Sequence, residues 1–373
     1  MTAKVRRRCL LVLALACVVA APARVLAQAD RAGMTTGQLY QAACAACHGT
    51  DGKGQPRSIV GFDTPLPDFT DCAFTTPEAD LDWTSVIHRG GGIRALHRRM
   101  PAFGDALSEQ EIERLVGHLR GFCAEPAWPR GELNFPRAFF TEKAFPENEA
   151  VFTFARQGGG ELDLETAFLF EQRLGKRAQY EINVPLAFHQ DVAGAWSRGI
   201  GDVDLAVKYA LYDNLARGFI AGAGGEVTLP TGRESSGLGR GVAVFDAFGA
   251  VGQALPRASF VQFQAGLEVP ADAEVAGKEV YWRTAVGKTF AAGRWGRSWS
   301  PMLEVLGAHP FGAPTDWDLV PQLQVSLSGL QHVLVNVGLR IPVKQPESRA
   351  RTLMVYLLWD WFDGGLTSNW RRR

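Results

Sequence analysis

The chain has 373 residues, which at about 150 residues per domain suggests two domains, or one small and one large. Its 39 lysines and arginines balance 39 aspartates and glutamates, which argues against a general nucleic-acid binder, since that role needs a basic excess. Forty-one glycines and ten tryptophans are high counts, and both recur in the β-patterned part of the chain.

The N-terminus reads as a secretory signal over residues 1–29. Lys4, Arg6, Arg7 and Arg8 precede an apolar run from Cys9 to Ala21, and Ala27-Gln28-Ala29 is a small-x-small cleavage site. An uncleaved anchor is the alternative, but the run is short against the roughly 20 residues of a membrane span. Cys17 follows Ala-Leu-Ala, a poor lipidation signal. No later segment is a continuous apolar run of spanning length. Further membrane contact must therefore come from a β-barrel or a surface patch.

Residues 30–126 carry the clearest chemistry. Thr35 and Gln38 form a capping box for a helix holding Leu39, Tyr40, Ala42 and Ala43. Then comes Cys44-Ala45-Ala46-Cys47-His48, broken by Gly49, Gly52 and Gly54. Two thiols at this spacing on a helical turn reach the two vinyl groups of one haem, and the next histidine is presented as an axial iron ligand. A redox C-x-x-C is the rival reading. Downstream, Met100 in Arg99-Met100-Pro101 is the expected sixth ligand, a soft thioether that raises the potential relative to two nitrogens. His88 and His97 are rivals for that place.

A helix is expected from Thr76-Pro77 to Gly90-Gly91-Gly92. Another follows Ser108, whose capping box is completed by Glu111, with Ile112, Leu115, Val116, Leu119 and Phe122 on its apolar face. Cys72 and Cys123 remain once the signal and the haem motif are counted. In an exported protein they are expected to form a disulfide rather than two buried thiols. Arg89, Arg94, Arg98 and Arg99 cluster on the methionine side, facing haem propionates, an acidic redox partner or solvent.

This order of helix, haem motif, loop, helix, Met-Pro and helix resembles the class I cytochrome c fold over about a quarter of the chain. The resemblance implies an all-α domain with one covalent haem c held by Cys44 and Cys47, and iron held by His48 and Met100.

Pro126, Pro129, Arg130 and Gly131 open a linker over residues 127–148. From 149 to 373 the pattern alternates with period two. Leu162, Leu164, Phe168, Phe170 and Leu174 oppose Glu161, Asp163, Glu165, Glu171 and Arg173. Ala178, Tyr180, Ile182, Val184, Leu186 and Phe188 oppose Arg177, Gln179, Glu181 and Asn183. Val203 to Leu211 and Val333 to Val343 repeat the scheme. Twelve strands are expected, beginning near 149, 161, 177, 202, 216, 241, 257, 278, 297, 316, 331 and 350.

Many of these runs reach about ten residues, the length of a tilted strand crossing a bilayer. Trp196, Trp295, Trp299, Trp317, Trp359, Trp361 and Trp370 gather at strand ends, as interface girdles require. The expectation is an antiparallel up-and-down β-barrel of about twelve strands in the outer membrane, with a soluble sandwich as the alternative. The terminal Arg371, Arg372 and Arg373 depart from the aromatic ending common in such barrels.

Gly199-Ile200-Gly201-Asp202-Val203-Asp204 with Leu229-Pro230-Thr231-Gly232 looks like the outer-membrane barrel family linked to phenol-degradation pathways. The two-part architecture is similar to the cytochrome–porin fusions, some of which oxidise extracellular iron. These resemblances imply electron exchange with periplasmic redox proteins, contact with outer-membrane lipid, and an outside small-molecule or metal-ion donor or acceptor. An even strand count puts both barrel ends on one side, with the haem domain expected to be periplasmic. Asp163, Glu165 and Glu181 are expected in the lumen. The alternative is a barrel transporter with the cytochrome as plug or redox gate. A haem enzyme such as a peroxidase needs an open iron position, against which Met100 argues, so the protein is expected to carry electrons rather than catalyse.

Overall fold

In the computed structural model the described residues run from 33 to 361, apart from 64, 95, 124, 159–161, 191–193, 195, 330 and 345–348. The expected signal at 1–29, Glu161, Trp370 and the three terminal arginines lie outside them. The chain forms two compact units. One holds the chain up to Thr70 and the stretch Leu107–Ala124; the other holds Asp71–Ala106 and everything from Glu125 on.

The helices are α1 Thr36–Ala43, α2 Ala45–His48, α3 Arg57–Val60, α4 Cys72–Thr75, α5 Asp80–Arg89 and α6 Glu109–Phe122. In the first unit α1 packs on α6. The Tyr40 ring lies 4.9 Å from His118 and 5.4 Å from Phe122. Leu39, Ile112, Leu115, Val116 and Leu119 make a small buried core. Both expected capping boxes form, Thr35 with Gln38 and Ser108 with Glu111. Each satisfies two of the free N–H groups at its helix start.

The helix expected from Thr76 begins later, at Asp80. The chain before it bends against Gly131, whose N–H donates to the Thr76 carbonyl at 2.8 Å. A Cβ on Gly131 would lie 1.8 Å from the Pro77 carbonyl oxygen, so the two backbones touch there.

The second unit is built on twelve long strands. In chain order these are β1 Glu149–Gln157, β2 Leu162–Leu174, β3 Ala178–Gln190, β4 Val203–Asn214, β5 Phe219–Leu229, β6 Val244–Leu255, β7 Ser259–Pro270, β8 Glu279–Lys288, β9 Ser298–Pro310, β10 Asp316–Ser326, β11 Val333–Pro342 and β12 Thr352–Asp360. Each pairs antiparallel with the next, and β1 pairs β12 in register Val151↔Leu358, which closes the ring. Two short pieces, Trp196–Ile200 and Phe290–Ala291, extend β3 and β9 by pairing with them. A closed ring leaves no sheet edge, and excludes the sandwich alternative.

The alternation read from sequence sorts outside from inside, and the sort is inverted relative to a soluble protein. Phe152, Phe168, Ile182, Leu205, Val207 and Leu357 point outward and are exposed. Glu171, Gln179, Lys208, Gln262, Glu304 and Asn336 point inward and are buried. Only a bilayer makes an apolar exterior and a polar lumen the favourable arrangement. Of the expected girdle, Trp196, Trp299 and Trp317 are exposed, whereas Trp295 and Trp361 are buried. Those two rings are covered by neighbours instead, Trp295 by His88 and Trp361 by Phe170, with centroids 4.4 and 5.5 Å apart.

Glu149 and Asp360 share one rim. The connections there are short, at 175–177, 215–218, 256–258, 289–297 and 327–332, while those at the other rim reach 230–243. At that far rim the two quoted motifs meet. Asp202 accepts the Gly232 and Arg240 N–H groups at 2.9 and 2.7 Å, and Thr231 Oγ1 donates to the Gly201 carbonyl at 2.7 Å. The motif ties the loop after β5 to the start of β4, which is a structural role.

The stretch expected as a linker is buried. Leu133, Phe135, Ala144 and Phe145 pack with Ala210, Ile220, Ala250, Phe260 and Met302. It bonds to residues of nine of the twelve strands, Glu149, Glu171, Gln179, Lys208, Gln264, Arg283, Glu304, Gln324 and Tyr356. A segment that touches so many staves of a closed barrel lies in its lumen.

Candidate functional site

In the first unit the site is the end of α1, α2 and the loop after it. Cys44 is the joint between the two helices, with φ −123° and ψ −37°. Its N–H donates to the Tyr40 carbonyl at 2.8 Å, and the His48 N–H donates to the Cys44 carbonyl at 2.9 Å. One turn therefore presents both thiols and the imidazole. Gly49, at φ 74°, ends the turn. The chain then folds back, with Gly54 and Gln55 N–H groups donating to the His48 and Cys47 carbonyls at 2.9 and 2.7 Å. Tyr40 closes the loop with a hydroxyl bond of 2.7 Å to the Gly49 carbonyl, and burial pushes its phenol up to about 12.

The imidazole of His48 packs on Phe69 at 5.0 Å. Its buried Nδ1 has no hydrogen-bond partner among the described residues, and burial pulls its pKa down. The ring is thus held neutral, the form that offers a lone pair to iron. Burial, with Cys47 beside it, pushes Cys44 up to about 11. A redox C-x-x-C lowers the pKa of its attacking thiol; here the shift runs the other way. Cys44 and Cys47 are the free cysteines among the described residues. Two thiols and a half-buried imidazole with an unpartnered Nδ1 on one turn fit haem c.

Gly52 is the tightest point of the cradle. It sits at φ 76°, and a Cβ there would lie 2.8 Å from the Phe122 ring. Gly52→Ala is expected to cost about 1–3 kcal/mol through left-handed backbone strain and overpacking. Thermal melting of the holoprotein followed at the haem band measures it, and an unchanged Tm contradicts this packing.

Residues 32–119 match the family described as cytochrome C oxidase, cbb3-type, subunit III. This stretch is a c-type cytochrome domain. Its family implies haem c as cofactor and electron transfer as the class of function. No curated protein matches the chain. Among solved structures, an outer membrane channel from Pseudomonas putida F1 is 12% identical, with 61% of this chain and 100% of that chain covered at a TM-score of 0.44. The KdgM porin is likewise 12% identical, covering 57% of this chain and 99% of its own at 0.39. The NanC porin is 9% identical over the same shares at 0.41. The outer-membrane character of the barrel rests on its exposed apolar belt and polar lumen.

The methionine side of the cytochrome domain belongs to the second compact unit. Met100 sits in a turn fastened to the end of α5. The Gly91 N–H donates to the Met100 carbonyl at 3.0 Å, and a Cβ on Gly90 (φ 81°) would lie 2.9 Å from that oxygen. The glycine run that stops α5 thus also lets the Met100 turn close on it. Of the rivals, His97 accepts the Arg99 N–H on Nδ1 at 3.1 Å. His88 lies against Trp295 with its ring tilted, and a Cβ on Gly104 would lie 2.4 Å from it.

The arginine cluster divides. Arg89, Arg98 and Arg99 are exposed, but Arg94 is buried, donating to Asp82 at 2.6 and 2.8 Å and to the Trp295 carbonyl at 2.6 Å. Of the expected lumen carboxylates, Glu181 is buried and accepts the Gln179 amide at 2.8 Å. Glu165 is exposed nearer the far rim, and the Asp163 side chain lies outside the described residues.

Proposed function

We propose that this chain is a mono-haem c-type electron carrier tethered at the outer membrane by its barrel. The observation that carries the reading is the turn bearing Cys44, Cys47 and the half-buried His48. In this reading Cys44 and Cys47 hold one haem covalently. His48 and Met100 are the axial ligands, and Cys72 and Cys123 form a disulfide across the domain. Haem iron so ligated supplies one-electron exchange between ferric and ferrous states. The chain's own residues set the conditions. Burial keeps His48 neutral, and the Gly90–Gly91 turn fixes Met100. Arg89, Arg98 and Arg99 offer a basic surface to an acidic periplasmic redox protein.

Both barrel ends lie on the rim with short connections, which supports placing the cytochrome on the periplasmic side. Electrons would pass between periplasmic redox proteins and an outside donor or acceptor, a small molecule or metal ion. One haem does not span a hydrocarbon core of about 30 Å, so an outside exchange requires partial insertion of the haem edge or a second redox partner.

The test is the optical spectrum of the purified full chain, oxidised and reduced, beside Met100→Ala. A low-spin c-type spectrum with a methionine–iron charge-transfer band, absent in the variant, is expected. A spectrum unchanged by Met100→Ala moves the sixth ligand to another residue.

A further inference from the structure

The barrel lumen carries its own occupant. The segment from Gly131 enters at the rim shared by Glu149 and Asp360, and at Phe139–Glu142 it is level with the strand midpoints. Here Glu304 of β9 accepts the N–H groups of Phe139, Phe140 and Thr141 at 3.0, 3.1 and 2.7 Å, and the Thr141 hydroxyl at 2.8 Å. Other staves hold the same turn: Lys208 of β4 bonds Glu142, and Gln264 of β7 accepts the Glu142 N–H at 3.0 Å. The chain then returns to Glu147, whose N–H donates to Gln179 of β3 at 2.5 Å.

The charges are matched as well. Arg137 of the segment reaches Glu149 and Glu171 of the wall at 2.5 and 2.7 Å, and Lys143 pairs with Glu147 and lies 3.5 Å from Glu149. The segment brings two cations and three carboxylates, Glu132, Glu142 and Glu147, to a wall that is itself rich in carboxylates. Farther along, the inward strand positions carry Glu165, Asp204, Glu226, Asp246, Glu268 and Glu279. Arg283, which donates to the Phe140 carbonyl at 3.0 Å, lies among them.

We propose that residues 131–148 are a built-in stopper that keeps the barrel closed to solutes, and that its release uncovers a cation-selective pore. The backbone of such a loop cannot stand unpaired in a lumen. Its N–H and C=O groups are met by wall side chains in place of water, which fixes it in one pose. Glu304 is the main catch, since it alone takes three consecutive backbone N–H groups. Withdrawal of the loop takes away Arg137 and Lys143 together with Glu142 and Glu147, and leaves Glu149, Glu171, Glu181 and Glu304 against Lys208 and Arg283 on the wall, a carboxylate excess by which anions are repelled and small cations admitted.

The test is conductance of the full-length protein in planar bilayers under a potassium chloride gradient. Wild type is expected to stay closed. Glu304→Ala is expected to raise the open time about tenfold or more, since it strips several hydrogen bonds from the catch at once. Its reversal potential should be of the cation-selective sign. A second variant replaces residues 132–146 by a glycine–serine chain of equal length and should stay open. Heat-shifted migration on a gel checks that each barrel is folded; if the second variant does not fold, Glu304→Ala alone decides. A conducting wild type overturns the proposal, as do folded variants that stay closed, and an anion-selective open state overturns the selectivity. The haem spectrum of Glu304→Ala should match wild type, which separates this proposal from the electron-carrier reading.

Discussion

The double variant Cys44→Ser/Cys47→Ser is expected to lose all covalently attached haem and, with it, the fold of the first compact unit. The core of that unit is small, resting on Leu39, Tyr40, Ile112, Leu115, Val116 and Leu119. Units of this size are marginal without a staple, and a bound cofactor acts as one. The barrel, closed by its own ladders and filled by its own loop, does not depend on the motif. Haem staining of a denaturing gel should therefore be lost, and helical circular dichroism should fall. The β signal and the heat-shifted migration should stay. Haem that survives denaturation in the double variant would contradict attachment at these two cysteines.

Val207→Arg should separate a bilayer barrel from a soluble one. Val207 lies near the middle of β4, is 60% exposed, and shares its face with Leu205, Tyr209 and Leu211. An arginine there meets lipid, at a cost of about 2–4 kcal/mol near the bilayer midplane. On a water-facing barrel the same change would fall within about 0.5 kcal/mol. Urea unfolding in phospholipid vesicles measures the difference. The neighbouring Lys208 points the other way, 2% exposed and paired with Glu142. Lys208→Met should cost about 3–5 kcal/mol for another reason, the buried carboxylate left behind. Similar small effects at both positions would overturn the assignment of faces.

Much of this was legible in the residues. Strand onsets near 149, 161, 177 and 316 lie within a residue of β1, β2, β3 and β10, because alternation with period two is a local property that each strand carries by itself. The same holds for the capping boxes at Thr35 and Ser108, which act over three residues. The lumen loop was not legible. Arg137, Lys143 and Glu147 among Phe135, Phe139 and Phe145 have no period, since their partners are spread over the surrounding wall and the loop itself. Between Pro129 and Glu149 such a mixture looks like a solvated linker, and only the ring of Glu304, Lys208 and Gln264 reveals what it fits.

Trp295 and Arg94 failed for a related reason. A tryptophan at a strand end looks the same whether its ring meets lipid or the imidazole of His88. An arginine in a basic run looks solvated until Asp82 and the Trp295 carbonyl are placed beside it. Pairings over about 200 positions of sequence leave no local mark. The chemistry of Cys44, Cys47 and His48 was readable because all three sit on one turn.

Transport of single electrons through one low-spin haem is checked by a spectroelectrochemical titration of the purified, detergent-held full chain. The expected result is one reversible one-electron wave, with one c-type haem per chain by pyridine haemochrome and no carbon monoxide binding to the ferrous form. A high-spin ferrous haem that takes up carbon monoxide readily would contradict the account, because it would mean an open iron position and a reactive site in place of a carrier.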